Sequence, residues 1–242
     1  MKFTKIPVDT FKQIQLNAGI LVDNFDPATG TIGSILGATS GGVSFSATPS
    51  FTDFAEDIDN AAKNMMEFKK LDQWEVTMSG TFAGISDDLA KSLSAASDLL
   101  GVTYVLTTDT AVKPGKRYYT RSGDAGNYTY TPVSNPTTDD IATYYIKGKS
   151  AVRVIPRNDV LTKDFQTLWW VGDYSDFNGE TNGGFCAIKM LNALSTGGFQ
   201  IQSGDKTKGQ LAFTYMAHYS NENPETVPFE IHLKQGSAEP TT

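Results

Sequence analysis

The chain has 242 residues, is 39 % hydrophobic and 11 % aromatic, and sets 20 Lys+Arg against 27 Asp+Glu for a formal net charge of −7. The aromatic content excludes a disordered chain, and a chain of this length buries roughly 70–75 % of its unfolded surface without a disulfide or metal staple. The acidic balance excludes a protein that wraps nucleic acid, the single Cys186 excludes an intramolecular disulfide framework or a cysteine-based zinc cluster, and no apolar run approaches the length of a membrane span.

In chain order, most segments predict strands. The N-terminal Met1–Pro7 carries some positive charge, but no apolar stretch follows it, so no secretory signal is expected and folding in a cytoplasm is. Ile14, Leu16, Ala18, Ile20 and Val22 alternate with polar or small residues, the period that sends successive side chains to opposite sheet faces. Val43, Phe45, Ala47 and Phe51 alternate with serine and threonine, and Trp74, Val76, Met78 and Phe82 do so further on. Asp57–Lys70 predicts either a weak helix or a long loop with a helical turn. A helix is expected over about 86–100. Ser86 is placed to cap it, Asp87 and Asp88 favour its positive end, and Leu89, Leu93, Ala96 and Leu100 give the stripe. Late strands run through Leu211, Phe213, Tyr215, Ala217 and Tyr219, then through Phe229, Ile231 and Leu233. Turn signals separate the runs, among them Ser40-Gly41-Gly42 and Asn182-Gly183-Gly184. The predicted class is mainly β, an antiparallel β-sandwich or barrel with one flanking helix and a small β insertion.

Composition marks that insertion. Residues 104–147 hold seven of the ten tyrosines and nine threonines, but no Phe, Trp or Met. Tyrosine and threonine suit a thin sheet with polar handles. The segment is a second unit of 44 residues inside a discontinuous body of 1–103 and 148–242. It carries five basic and four acidic residues, net +1, so the body carries −8.

Catalytic constellations are sparse. His218 and His232 both fall in strand patterns, and Cys186 follows a glycine pair with nothing basic beside it. Pro114-Gly115-Lys116 predicts a type II turn, since no glycine-rich loop precedes it as a phosphate loop requires. Asp53, Glu56, Asp57 and Asp59 allow a calcium reading, but lack the spacing and glycine of an EF-hand loop, so a solvated acidic loop is the simpler reading. No catalytic residue, cofactor or metal ligand is assigned.

Several segments, taken in order, resemble the major tail protein of long-tailed bacteriophages of Gram-positive hosts. They are NAGILV from Asn17, FTDFAEDID at 51–59, NMMEFKKLDQWEVTMSGTF at 64–82, GQLAFTYMAHY at 209–219 and VPFEIHL at 227–233. The likeness covers most of the body. The insertion is similar to Tyr-rich modules of phage structural proteins around PGKRYYT at 114–120, and departs from the minimal tube pattern.

The resemblance implies a virion structural protein, made in the host cytoplasm, whose hexameric rings stack into a tail tube. Its implied partners are further copies of itself, the tape-measure protein, the tail terminator and distal tail proteins, and DNA passing without sequence-specific contact through an acidic lumen. On that reading the loop 52–73 reaches an adjacent ring through Phe54, Glu56, Asp57, Ile58, Met65 and Met66. The helix lies on the outer side of the sheet, and the insertion projects outward with Tyr118, Tyr119, Tyr128 and Tyr130 on its surface. Two alternatives stay open: a carbohydrate- or surface-binding β module that uses Tyr118 and Tyr119, and the inner tube of a contractile tail or tail-derived bacteriocin.

Overall fold

A computed structural model describes residues 14–15, 19–60, 62–174, 183–205 and 209–236. The protein is mainly β, with antiparallel sheets and, among the described residues, a single short α-helix. The chain runs β1 (Ile20–Val22), β2 (Phe25–Asp26), β3 (Thr31–Ile32), β4 (Ile35–Gly37), β5 (Thr39–Asp53) and β6 (Lys69–Phe82). It continues with α1 (Asp87–Leu93), β7 (Ser97–Leu100), β8 (Tyr104–Leu106), β9 (Tyr119–Ser122), β10 (Thr129–Pro132), β11 (Tyr145–Lys147) and β12 (Arg153–Pro156). It ends with β13 (Gln166–Asp173), β14 (Phe185–Ser195), β15 (Gln200–Gln202), β16 (Gln210–Met216) and β17 (Phe229–Lys234).

The main sheet is ordered β4-β1-β13-β14-β16-β6-β5, with β15 on β16 and β17 on β14. Strand β14 joins its halves. Phe185–Met190 pairs with β17, whereas Leu194 and Ser195 pair with β16. Between these stretches Asn192 takes φ 49, and its side chain donates to the His218 carbonyl at 3.0 Å. A left-handed residue bends the strand there and lets it serve both halves. The main core takes Leu21, Leu168 and Met190 from one half, Phe82, Phe213 and Tyr215 from the other, and Leu89 and Leu93 from α1. A second cluster lies on the opposite face of β13 and β14, where Phe25 stands edge-on to Trp169 and Phe185.

The expected alternation appears in β5 and β6, where Val76, Met78 and Phe82 are buried and the Ser residues of β5 at 44, 46 and 50 face water. The Ser40-Gly41-Gly42 signal is a bulge rather than a turn. Gly41 and Gly42 adopt φ 80 and 89, but the strand continues, with Thr39 opposite Phe82 and Val43 opposite Gly80. A bulge and a turn need the same positive φ, so sequence does not separate them. The expected apolar face of β17 is covered only at Phe229, which packs on Phe45 and Trp74, while Ile231 and Leu233 stay exposed. Among the described residues, no helix is long and apolar enough to cross a membrane.

The expected helix 86–100 is corrected. Only Asp87–Leu93 is α-helical, capped as predicted by Ser86 Oγ, which accepts from Leu89 N at 3.1 Å. Ala95 at φ 54 closes it, and Ser97–Leu100 forms β7 against β12. Ser94 turns its hydroxyl back to the Ala90 carbonyl, the local competition that makes serine a poor helix interior. Cross-strand pairing with Arg153–Pro156 then outweighs the residual helical pattern, and Leu100 is exposed.

The β7–β12 ladder is a stem. Chain leaves along β7, builds the four-stranded sheet β10-β9-β11-β8, and returns along β12. That sheet begins at Tyr104 and ends at Lys147, which lie opposite each other. At the neck, Thr103 N–H and hydroxyl donate to Ser150 Oγ, which donates to the Gly101 carbonyl.

Candidate assembly surface

The β5–β6 hairpin is the longest paired element, and its far end stands alone. β16 pairs with β6 only from Thr77 to Phe82. Beyond that, Ala217 N–H donates to the Val76 carbonyl at 3.0 Å and Trp74 N–H to Tyr219 Oη at 2.9 Å. From Gln73 outward β6 pairs only with β5, and the outer edge of β5 has no strand partner among the described residues. A free two-stranded ribbon is marginal in water.

The tip is nonetheless built. Asp53 accepts from Ala55 N at 3.0 Å through one carboxylate oxygen and from Asn64 N at 2.9 Å through the other, tying both sides of the loop together. Lys69 Nζ donates to Asn64 Oδ1 at 3.2 Å. Asn60 and Asn64, at φ 64 and 60, make the reversals. The segment 54–68 holds two 3-10 turns, Phe54–Asp57 and Met66–Phe68, and no α-helix among its described residues; Glu56 and Asp57 lie in the first turn. Among the described residues of the segment only Ala55 is buried, while Phe54, Ile58 and Met65 are exposed and Met66 is 81 % exposed. Phe51 and Leu71 extend this apolar surface down the ribbon. Leaving one such side chain in water forgoes roughly 1.5–3 kcal/mol of burial, and a cluster of them marks a contact surface. Asp53 is used within the loop itself, and no group of His, Cys, Asp or Glu suited to a metal occurs among the described residues.

In the insertion the four named tyrosines separate. Tyr118 is fully buried and Tyr119 nearly so, correcting their placement on the outer surface; Tyr128 is exposed and Tyr130 half-buried. Tyr118 packs with Ile141 and Tyr144 in a core of the insertion's own. Its hydroxyl donates to Asp109 Oδ2 at 3.1 Å and accepts from Lys113 N at 3.2 Å. Asp109 also pairs with Lys113 Nζ at 2.6 Å and with Lys116, and those lysines hold its carboxyl far below the usual range. The Pro114-Gly115-Lys116 turn therefore serves an internal ion cluster.

Two insertion bases grip the body. Lys147 Nζ lies 2.5 Å from Asp87 Oδ2 and 2.7 Å from Asp88 Oδ1, and Arg117 lies 2.5 Å from Asp23 Oδ2. Burial works to raise the Asp87 pKa, but the hydrogen bond and charge of Lys147 prevail and hold it below the ordinary value. Sequence placed Asp87 and Asp88 at the helix dipole. Their pairing with a residue 60 and 59 positions away leaves no sequence signal. With Asp98 on Arg157 and Lys163, Asp164 on Arg157, and Glu230 on Lys189, six acids of the body are paired with bases.

Neither histidine stands in a catalytic array among the described residues. His218 Nδ1 bonds the Asn192 carbonyl and His232 pairs with Glu230 at 3.1 Å. Burial raises the Cys186 thiol. No protein-family model and no curated protein matches the chain.

Proposed function

We propose that this chain is a self-assembling structural subunit of the tail-tube kind its sequence resembles. Rings of identical copies stack into a hollow tube within a virion, around a tape-measure protein and then around DNA, closed by terminator and distal tail proteins. One observation carries the reading: the apolar tip of a hairpin that extends beyond its sheet and, among the described residues, stays exposed at Phe54, Ile58, Met65 and Met66. Repeated head-to-tail contacts of this kind either close into rings or propagate as filaments. Among the described residues β5 and β17 each have one edge without a strand partner, and Ile231 and Leu233 are exposed on the latter, which adds lateral surface of the same character. An edge left unpaired in a monomer invites aggregation unless a neighbour occupies it.

Negative-stain electron microscopy of the concentrated protein tests this. Hollow tubes or rings are expected, and a folded protein that stays monomeric at high concentration would overturn the proposal. Deleting 56–66 is expected to leave a folded subunit that makes no tubes, whereas excising 104–147 at its stem is expected to leave tube growth intact.

A further inference from the structure

The insertion sheet has two unlike faces. One packs on Tyr118, Ile141 and Tyr144 through Ile146. On the other, strand register sets Tyr104 beside Lys147, Tyr145 beside Leu106 and Tyr119, and Arg121 beside Tyr130. The rings on this face are locked together. Tyr104 and Tyr130 stack at 4.0 Å with planes 10° apart, and Tyr145 meets Tyr130 edge-on at 5.4 Å. The Arg121 guanidinium sits 4.4 Å from the centre of the Tyr128 ring and 5.0 Å from that of Tyr145. The hydroxyls of Tyr104, Tyr128, Tyr130 and Tyr145 have no hydrogen-bond partner among the described residues.

The charges are just as uneven. Lys113 and Lys116 are spent on Asp109, Arg117 on Asp23, and Lys147 on Asp87 and Asp88. Arg121 alone among the insertion's bases has no carboxylate within ion-pair distance among the described residues. The face runs into a cleft of about 500 Å³ between insertion and body, lined by Tyr104, Tyr119 and Tyr130 on one side and by Lys91 and Asp98 on the other. Lys91 also has no ion-pair partner among the described residues, while the acids of the cleft, Asp88 and Asp98, are already paired. The unspent charge at this place is positive, on a protein that is acidic as a whole.

We infer that this tyrosine face and its cleft form a binding site for an acidic oligosaccharide. Arg121, held rigid between two rings, offers its fork of N–H donors to a carboxylate or phosphate on a sugar, and Lys91 offers a second cation. The free phenol hydroxyls match sugar hydroxyls, and four strands spaced about 4.8 Å apart present a width of roughly 14 Å, suited to a short glycan. Single-stranded nucleic acid fits less well. Base stacking needs open ring faces, and here those faces are taken by one another and by Arg121. The site is independent of tube formation, because it uses no residue of the β5–β6 hairpin.

The test is calorimetric titration of the full chain, at low salt, with tetragalacturonate, a phosphorylated mannose pentamer, fully methyl-esterified tetragalacturonate and a deoxythymidine decamer. At least one of the two acidic glycans is expected to bind with sub-millimolar Kd, the methyl ester at least tenfold more weakly. Arg121→Ala is expected to weaken binding about tenfold and Tyr130→Phe or Lys91→Ala about threefold, with thermal unfolding of Arg121→Ala unchanged. The inference falls if neither acidic glycan binds at about 10 mM, if the methyl ester binds equally well, if the decamer binds more tightly, or if Arg121→Ala has no effect.

Discussion

The body and the insertion solve one problem with different aromatic residues. The body builds its core from Phe, Met, Leu and Trp, with Phe82 against Phe213 at 4.4 Å, and few polar atoms to satisfy. Its exception is Tyr215, whose hydroxyl lies 2.7 Å from Ser92 Oγ, which in turn accepts from Gln166; burial pushes the Tyr215 pKa up to about 12. The insertion's own core cluster holds three buried residues, Tyr118, Ile141 and Tyr144, and two of them are tyrosines. There the hydroxyls do structural work, because a core so small cannot reach stability from apolar area alone. Tyr118 ends on the Asp109 cluster, and Tyr144 accepts from Thr137 N at 3.3 Å. Large cores tolerate unbonded aromatic rings, and small ones need each ring to bring a bond.

That contrast can be broken by measurement. The largest effect is expected from Phe82→Ala. It empties a fully buried site shared by both halves of the main sheet and should cost about 3–5 kcal/mol in denaturant unfolding of the body. Tyr118→Phe keeps the ring but strips the bond to Asp109, and should cost about 1–3 kcal/mol. Amide exchange should place that loss in β8–β11, with β6 and β14 still protected. Equal loss in both units would show that the insertion has no core of its own.

The junction gives a smaller effect with a defined pH window. Lys147→Met is expected to cost about 1 kcal/mol, discounted because its carboxylate partners remain partly exposed, and to free the stem for faster exchange. Asp87 has a depressed pKa in the folded state, so its contribution is full above about 3.9 and is lost as pH falls through the folded value. Burial lowers the Lys147 pKa, but Asp87 and Asp88 outweigh it and raise the value overall. Its contribution is therefore full below about 10.4 and is lost as pH rises through the folded value. The protection factor at the stem, corrected for the intrinsic pH dependence of amide exchange, should be flat between these limits and fall outside them, and Lys147→Met should abolish both falls. The smallest effect on stability belongs to Met66→Ser, within about 0.5 kcal/mol, because the side chain touches little in the subunit. On the proposed function the same change should impair tube growth, which sedimentation would detect.

Sequence by itself determined what depends on neighbours along the chain. Alternation placed β5, β6 and β16, Ser86 announced the helix start, and the tyrosine-rich composition picked out residues that pair as one small sheet. These are local properties, set by side-chain period, capping chemistry and strand propensity. Tertiary structure decided everything that depends on a distant partner. Ser97–Leu100 became a strand because Arg153–Pro156 lay beside it, and Gly41-Gly42 became a bulge because β6 continued opposite. Tyr118 and Tyr119, adjacent and chemically identical, went to opposite faces of one sheet, and the facing elements fixed which of their neighbours stayed open to solvent. The apolar residues at 54, 58, 65 and 66 were legible as candidates. Their exposure at the end of an unsupported ribbon was not, because it follows from where β16 stops pairing with β6.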